Sequence, residues 1–244
     1  GVLAKVPEIA AEFGMKVTLG IWLNPIDAGE DSAKNRQFND DQIEAALRAV
    51  RVSRTTIDHI IVGNETVLRF EDGKGGLTVP QLMEYMRRVK RAVPRRVKVS
   101  TAETWRTWEQ HPELARYADF ISAHIIPYWE GIPLDEAVGH TIDRYRLMQR
   151  LFPGKPEMIG ETGWPSEGRS KGGAVASPAN QAAFTRSFLT AATEQGIDYF
   201  IIEAYDAPWK GQGEEGAVGA YWGVYDANGN AKFELTGGLS SLPD

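Results

Sequence analysis

The sequence predicts an α/β fold of the (β/α)8 TIM-barrel type, built as a single domain over residues 1–244, with the first two barrel strands missing. Three observations lead there. Short apolar runs alternate with longer helical patterns, the signature of βα units on a parallel sheet. A length of 244 residues fits one barrel-sized domain. Carboxylates fall at the ends of several apolar runs, which is where a barrel of this type gathers its active-site loops.

The chain opens in a helix whose apolar face is Leu3, Val6, Ile9, Ala10 and Phe13, stopped at Gly14. A strand follows from Lys16 to Leu23. The next helix runs from about Asp40, with Ile43, Ala46, Leu47 and Val50 on its buried side. Strand Ile57 to Val62 ends in Gly63-Asn64-Glu65. Helix Val79 to Ala92 leads to strand Val97 to Thr101, and a short helix near Glu113 to Tyr117 leads to strand Phe120 to Ile126. The long helix Leu134 to Phe152 is closed by Pro153-Gly154. Strand Glu157 to Gly160 gives way to a loop rich in Gly and Ser, and helix Ala179 to Glu194 stops at Gly196. The last strand, Tyr199 to Ala204, opens into a long loop that reaches Tyr221-Trp222-Gly223. A closed barrel needs eight strands, and only six are legible. The chain begins in a helix, so the shortfall falls at the front.

Composition narrows the function. A net charge of −6 argues against nucleic-acid partners, which require a basic face. Arg87-Arg88-Val89-Lys90-Arg91 reads as the solvated side of a helix. No stretch approaches the roughly 20 apolar residues that span a bilayer, so no membrane insertion by this chain is expected. The absence of cysteine excludes thiol chemistry and thiolate metal sites. His59, His124 and the acidic residues show no helix-spaced ligand pattern, so no metal is expected, and no glycine-rich phosphate loop points to a nucleotide cofactor.

The strand ends carry Trp22, Asn24, Asn64, Glu65, Glu103, His124, Tyr128, Glu161, Trp164, Glu203, Tyr205 and Asp206. Carboxylates are rarely fully buried unless paired, and four Glu at four strand ends suit glycoside hydrolysis. Retention requires two carboxyl groups about 5–5.5 Å apart, one attacking the anomeric carbon and one moving the proton. Spacing alone does not choose the pair. Glu103 divides between a structural ion pair and a substrate contact.

The segments around these residues carry a resemblance. Ile61-Val62-Gly63-Asn64-Glu65 resembles the Asn-Glu acid/base motif of clan A glycosidases. Ile159-Gly160-Glu161-Thr162-Gly163-Trp164-Pro165-Ser166 resembles the nucleophile motif of glycoside hydrolase family 17. Pro127-Tyr128-Trp129-Glu130, Glu203 to Lys210 and Trp222 to Asp226 are similar to further segments of that family. The resemblance implies a retaining enzyme on β-1,3-glucan, a glycosidase or a glucanosyltransferase, with Glu65 as acid/base and Glu161 as nucleophile. It implies that Asn64 contacts the sugar 2-hydroxyl and that Tyr128 hydrogen-bonds Glu161. Trp164, Trp209 and Trp222 would stack on sugars, while Glu203 and Lys210 would bind hydroxyls. The Glu203 to Lys210 segment is also similar to bacterial members associated with glucan synthesis, which implies an extracytoplasmic address. A glucan-binding module without turnover is the rival reading. It would keep the aromatic platforms but has no need of both carboxylates.

Overall fold

The computed structural model describes residues 5–26, 31–213 and 215–235. Six parallel-type strands follow one another in chain order within one sheet: β1 (Val17–Ile21), β2 (Ile57–Asn64), β3 (Lys98–Thr104), β4 (Ile121–His124), β5 (Glu157–Thr162) and β6 (Asp198–Ile201). Each begins within one residue of its expected start, because each opens on an apolar or β-branched run after a turn signal. The chain falls into two compact units. The first comprises Gly1–Ala123 with Met148–Glu157, and the second comprises His124–Leu147 with Met158–Asp244.

In the first unit, β1 pairs with β2 in parallel register from Val17 opposite Ile57 to Ile21 opposite Val62. β2 pairs with β3 from His59 opposite Lys98 to Asn64 opposite Ala102, with a register shift between Ile61 and Asn64. That shift falls where the strand turns toward Glu65. Helix α4 (Val79–Ala92) matches its expected bounds, and its chemistry explains why. Thr78 accepts from the Gln81 amide while the Gln81 side chain accepts from the Thr78 amide, and a proline stands in the first turn. Leu82, Tyr85, Met86 and Val89 recur at helical spacing and are buried, against β2 and β3. Each such side chain contributes roughly 1.5–3 kcal/mol by leaving water.

In the second unit, α7 (Pro178–Gln195) is capped by Ser177 and stopped by Gly196 at φ 63°. It buries Phe184 and Phe188, whose rings stack 6.0 Å apart. β5 and β6 pair with Met158 opposite Asp198.

Several expectations are corrected. Helix α1 (Val6–Glu12) forms, but Val6, Ile9 and Phe13 are exposed and Pro7 is its one buried residue; Leu3 lies outside the described residues. Periodicity marks a face without supplying the surface that covers it. Helix α2 (Ser32–Val52) starts eight residues before Asp40, since its first turns are held by polar bonds to loop carbonyls rather than by apolar contacts. Asn35 donates to the Pro25 carbonyl at 2.8 Å and Arg36 to the Ile26 carbonyl at 3.1 Å. Two short helices, α3 (Thr66–Glu71) and α5 (Trp105–Gln110), are added, and the helix expected near Glu113 is a 3-10 turn at Pro112–Arg116. Helix α6 (Leu134–Leu151) lies as expected, whereas β6 ends at Ile201 instead of Ala204.

Candidate active site

The first unit presents Asn64 and Glu65 at the end of β2, both half-buried. Glu65 has φ 47° and ψ 37°, the left-handed region, and among the described residues it is the one non-glycine residue there. That conformation costs an ordinary side chain about 1–2 kcal/mol and persists because the backbone is fixed on both sides. The Glu65 amide donates to the Ala102 carbonyl of β3 at 2.8 Å, and its carbonyl accepts from the Arg69 amide of α3 at 2.9 Å. Gly63 (φ 78°) makes the approach possible, because a Cβ there would collide with Thr66 Oγ1.

Glu103 leaves the adjacent strand and does something else. It is fully buried, and its carboxylate accepts from the amides of Val67 (2.8 Å) and Leu68 (3.4 Å). It thus caps the N-terminus of α3 from another strand and complements the helix dipole. The sequence left a structural ion pair and a substrate contact open for Glu103; its carboxylate is engaged structurally, by the amides of α3. No local sequence signal announces a cap that comes from 35 residues away.

The second unit gathers the remaining residues. Glu161, half-buried, sits near the end of β5, and its carbonyl accepts from the Ile125 amide at 2.9 Å. The buried His124, at the end of β4, places Nδ1 3.7 Å from Glu161 Oε2. An imidazolium at that distance would stabilise an ionised carboxylate. His124 was legible only as a strand-end histidine.

Tyr128 does not hold Glu161, because its hydroxyl donates to the Arg169 carbonyl instead. The ring is fully buried and packs edge-on against Trp129, Trp164 and Trp222 at 5.3, 5.7 and 5.6 Å. Burial raises the hydroxyl above its ordinary pKa, so it remains a neutral donor. Trp164 and Trp222 are each 1% exposed, and Trp164 Nε1 donates to the Val175 carbonyl. Both rings serve the aromatic core, and neither offers a face for a sugar. Trp209 is 77% exposed and can.

Glu203 and Lys210 pair at 2.8 Å, both half-buried. Lys210 bonds Oε2 of Glu203, whereas Oε1 is buried and has no hydrogen-bond partner among the described residues. Behind the pair, Asp206 accepts from the Gly223 amide at 2.9 Å and from Lys232 at 2.8 Å, and Lys232 reaches Ser166 Oγ at 2.7 Å. Lys232, near the end of the described chain, escaped the sequence reading because its partners lie 26 and 66 residues away.

Comparison with known proteins identifies the family and its relatives. Residues 1–223 match the pattern of the BtgE/BtgC glycoside hydrolase domain. A protein of Arthroderma benhamiae named glucan 1,3-beta-glucosidase is 28% identical over 90% of this chain and 71% of its own length. The probable glucan endo-1,3-beta-glucosidase btgC of Aspergillus fumigatus is 29% identical over 89% of this chain, which spans about a third (33%) of that protein. The fold is similar to that of the glycoside hydrolase family 17 beta-1,3-glucanosyltransferase from Rhizomucor miehei, with a TM-score of 0.79 and 27% identity over 96% of this chain and 81% of that one. An active-site mutant of the same enzyme has been solved in complex with laminaritriose.

Proposed function

Since the chain belongs to the BtgE/BtgC glycoside hydrolase family, we propose that it cleaves or transfers β-1,3-linked glucan chains through a covalent glucosyl-enzyme. The observation that carries this reading is Glu161 at the end of β5, half-buried beside His124 at 3.7 Å, in a segment of the family's nucleophile pattern. The named activities of the relatives and the laminaritriose complex of the structural neighbour support the substrate class.

In the first step the Glu161 carboxylate attacks the anomeric carbon while Glu65 gives its proton to the departing glycosidic oxygen. In the second step Glu65 takes a proton from water or from a sugar hydroxyl, and that oxygen displaces Glu161. Two inversions retain the anomeric configuration. Asn64, next to Glu65 at the strand end, is the candidate for the 2-hydroxyl. The half-buried pair of Glu203 and Lys210 is the candidate for another hydroxyl. With Trp164 and Trp222 buried, Trp209 is the platform left to hold an acceptor and favour transfer over water. An extracytoplasmic address belongs to the same reading, since a polymeric β-1,3-glucan substrate is met outside the cytoplasm. An export-dependent reporter fused to the full-length protein checks it.

A glucan-binding domain without turnover is the second reading. It draws on Trp209, an exposed ring that binding alone would use. Incubation with a β-1,3-gluco-oligosaccharide, followed by mass spectrometry and by NMR of the first-formed anomer, separates the two. Shorter products of retained configuration establish hydrolysis, and longer ones establish transfer. Bound but unaltered substrate supports the binding domain and overturns the enzymatic reading.

A further inference from the structure

Trp22 stands one residue beyond β1 and is 47% exposed, next to a fully buried Leu23. Isolated exposed apolar residues are common and need no explanation. This one is held from several directions. The Arg69 guanidinium lies over the ring, its carbon 4.4 Å from the centroid. Trp22 Nε1 donates to Asn24 Oδ1 at 3.2 Å. Asn24 is itself fixed by Asn39, a completely buried side chain. Asn39 Oδ1 accepts from the Asn24 amide at 2.8 Å, and its Nδ2 donates to the Asn24 carbonyl at 3.0 Å and to the Tyr85 hydroxyl at 3.3 Å.

Arg69 is anchored in turn. Its side chain donates to the Leu23 carbonyl at 3.4 Å and its backbone amide to the Glu65 carbonyl at 2.9 Å. The indole is therefore attached, through one arginine, to the same short helix that begins after Glu65. With Arg69 over the ring, nearly half of the residue's surface is still open to solvent. A rigid, amphipathic ring with a fixed N–H has little conformational entropy left to lose when a ligand packs on it.

We propose that Trp22 is a sugar-stacking platform, an outer subsite that takes the apolar face of one glucosyl residue of a β-1,3-glucan chain. This rests on the glucan reading above and extends it to a residue at the first strand of the sheet. Polar groups that fix the ring without covering it are what preorganised recognition requires. A merely structural tryptophan would be buried, as Trp108 is, with its N–H on the Ser122 carbonyl.

The test is laminarin binding by isothermal calorimetry in a Glu161→Gln background, which prevents turnover. Trp22→Ala is expected to weaken binding about three- to tenfold at unchanged melting temperature, the range a lost aromatic contact produces. Trp22→Phe is expected to recover part of the loss. Equal affinity of the Glu161→Gln parent and its Trp22→Ala derivative would overturn the platform while leaving the glucan reading intact. If the parent itself binds no laminarin, the glucan reading fails and the platform with it. Should Trp22→Ala not fold, Trp22→Leu decides: an affinity equal to the parent's without an aromatic ring overturns the proposal.

Discussion

Glu65 and Glu103 leave neighbouring strands of the same unit, and the contrast between them separates a reactive carboxylate from a structural one. Glu65 keeps its side chain half-exposed on a strained backbone that β3 and α3 hold in place. Glu103 is buried completely, and two backbone amides of α3 engage it. Both satisfy the rule that active-site residues of parallel barrels project from strand ends. Position is therefore necessary without being sufficient. What distinguishes them is exposure: Glu65 is half-exposed, whereas Glu103 is sealed against the first turn of α3. In the second unit Asp206 is likewise buried and engaged by Gly223 and Lys232, while Glu203 stays half-buried beside Lys210.

The largest effect that would break this contrast is on turnover. Glu65→Gln should lower kcat by about 10²–10⁴-fold, the range for a general acid/base, with the melting temperature unchanged. A variant that melts early instead would place Glu65 with Glu103. Glu103→Ala should do the reverse. It strips the acceptor from two buried amides and should cost about 1–3 kcal/mol in denaturant unfolding. At low temperature, where it stays folded, its kcat should fall by less than that of Glu65→Gln.

Gly63→Ala should cost about 1–2 kcal/mol, because φ 78° is unfavourable for a side chain and the new methyl meets Thr66. The accompanying loss of activity should appear mainly in kcat, since Gly63 sets the approach to Glu65.

A smaller effect concerns the start of β5, where Glu157 stands four residues before Glu161. Burial raises the Glu157 carboxyl to about 7, opposed by a hydrogen bond to Gln149. The folded chain then holds a proton that the unfolded chain releases, so this residue lowers stability as pH rises from about 4.5 toward 7. Glu157→Gln should therefore raise the melting temperature at pH 8 and leave it unchanged at pH 4. An equal shift at both values would show that burial of the charge is not the cause.

Much of this was legible in the sequence. The strands were readable because buried parallel strands are short apolar runs, and α4 because its capping box and apolar period agree. The pattern around Glu161 carried the family. What stayed hidden depends on contacts distant in sequence. Helix α3 is too short for a periodic signal and is stabilised by Glu103 from another strand. Trp164, Trp209 and Trp222 look alike as loop tryptophans, yet two fill the core and one faces water, because only packing distinguishes them. Trp22 was visible as a strand-end residue, but its clamp required Arg69, 47 positions later, to be seen over the ring.

Double displacement requires Glu161 to form a bond to the sugar. The direct measurement is mass spectrometry of the intact chain and its peptides after exposure to a 2-deoxy-2-fluoro β-1,3-glucosyl fluoride, whose glucosyl-enzyme is slow to hydrolyse. One added glycosyl mass is expected on the peptide containing Glu161, and none in Glu161→Gln. An adduct on a different carboxylate, or turnover of natural glucan with no adduct at all, would contradict it.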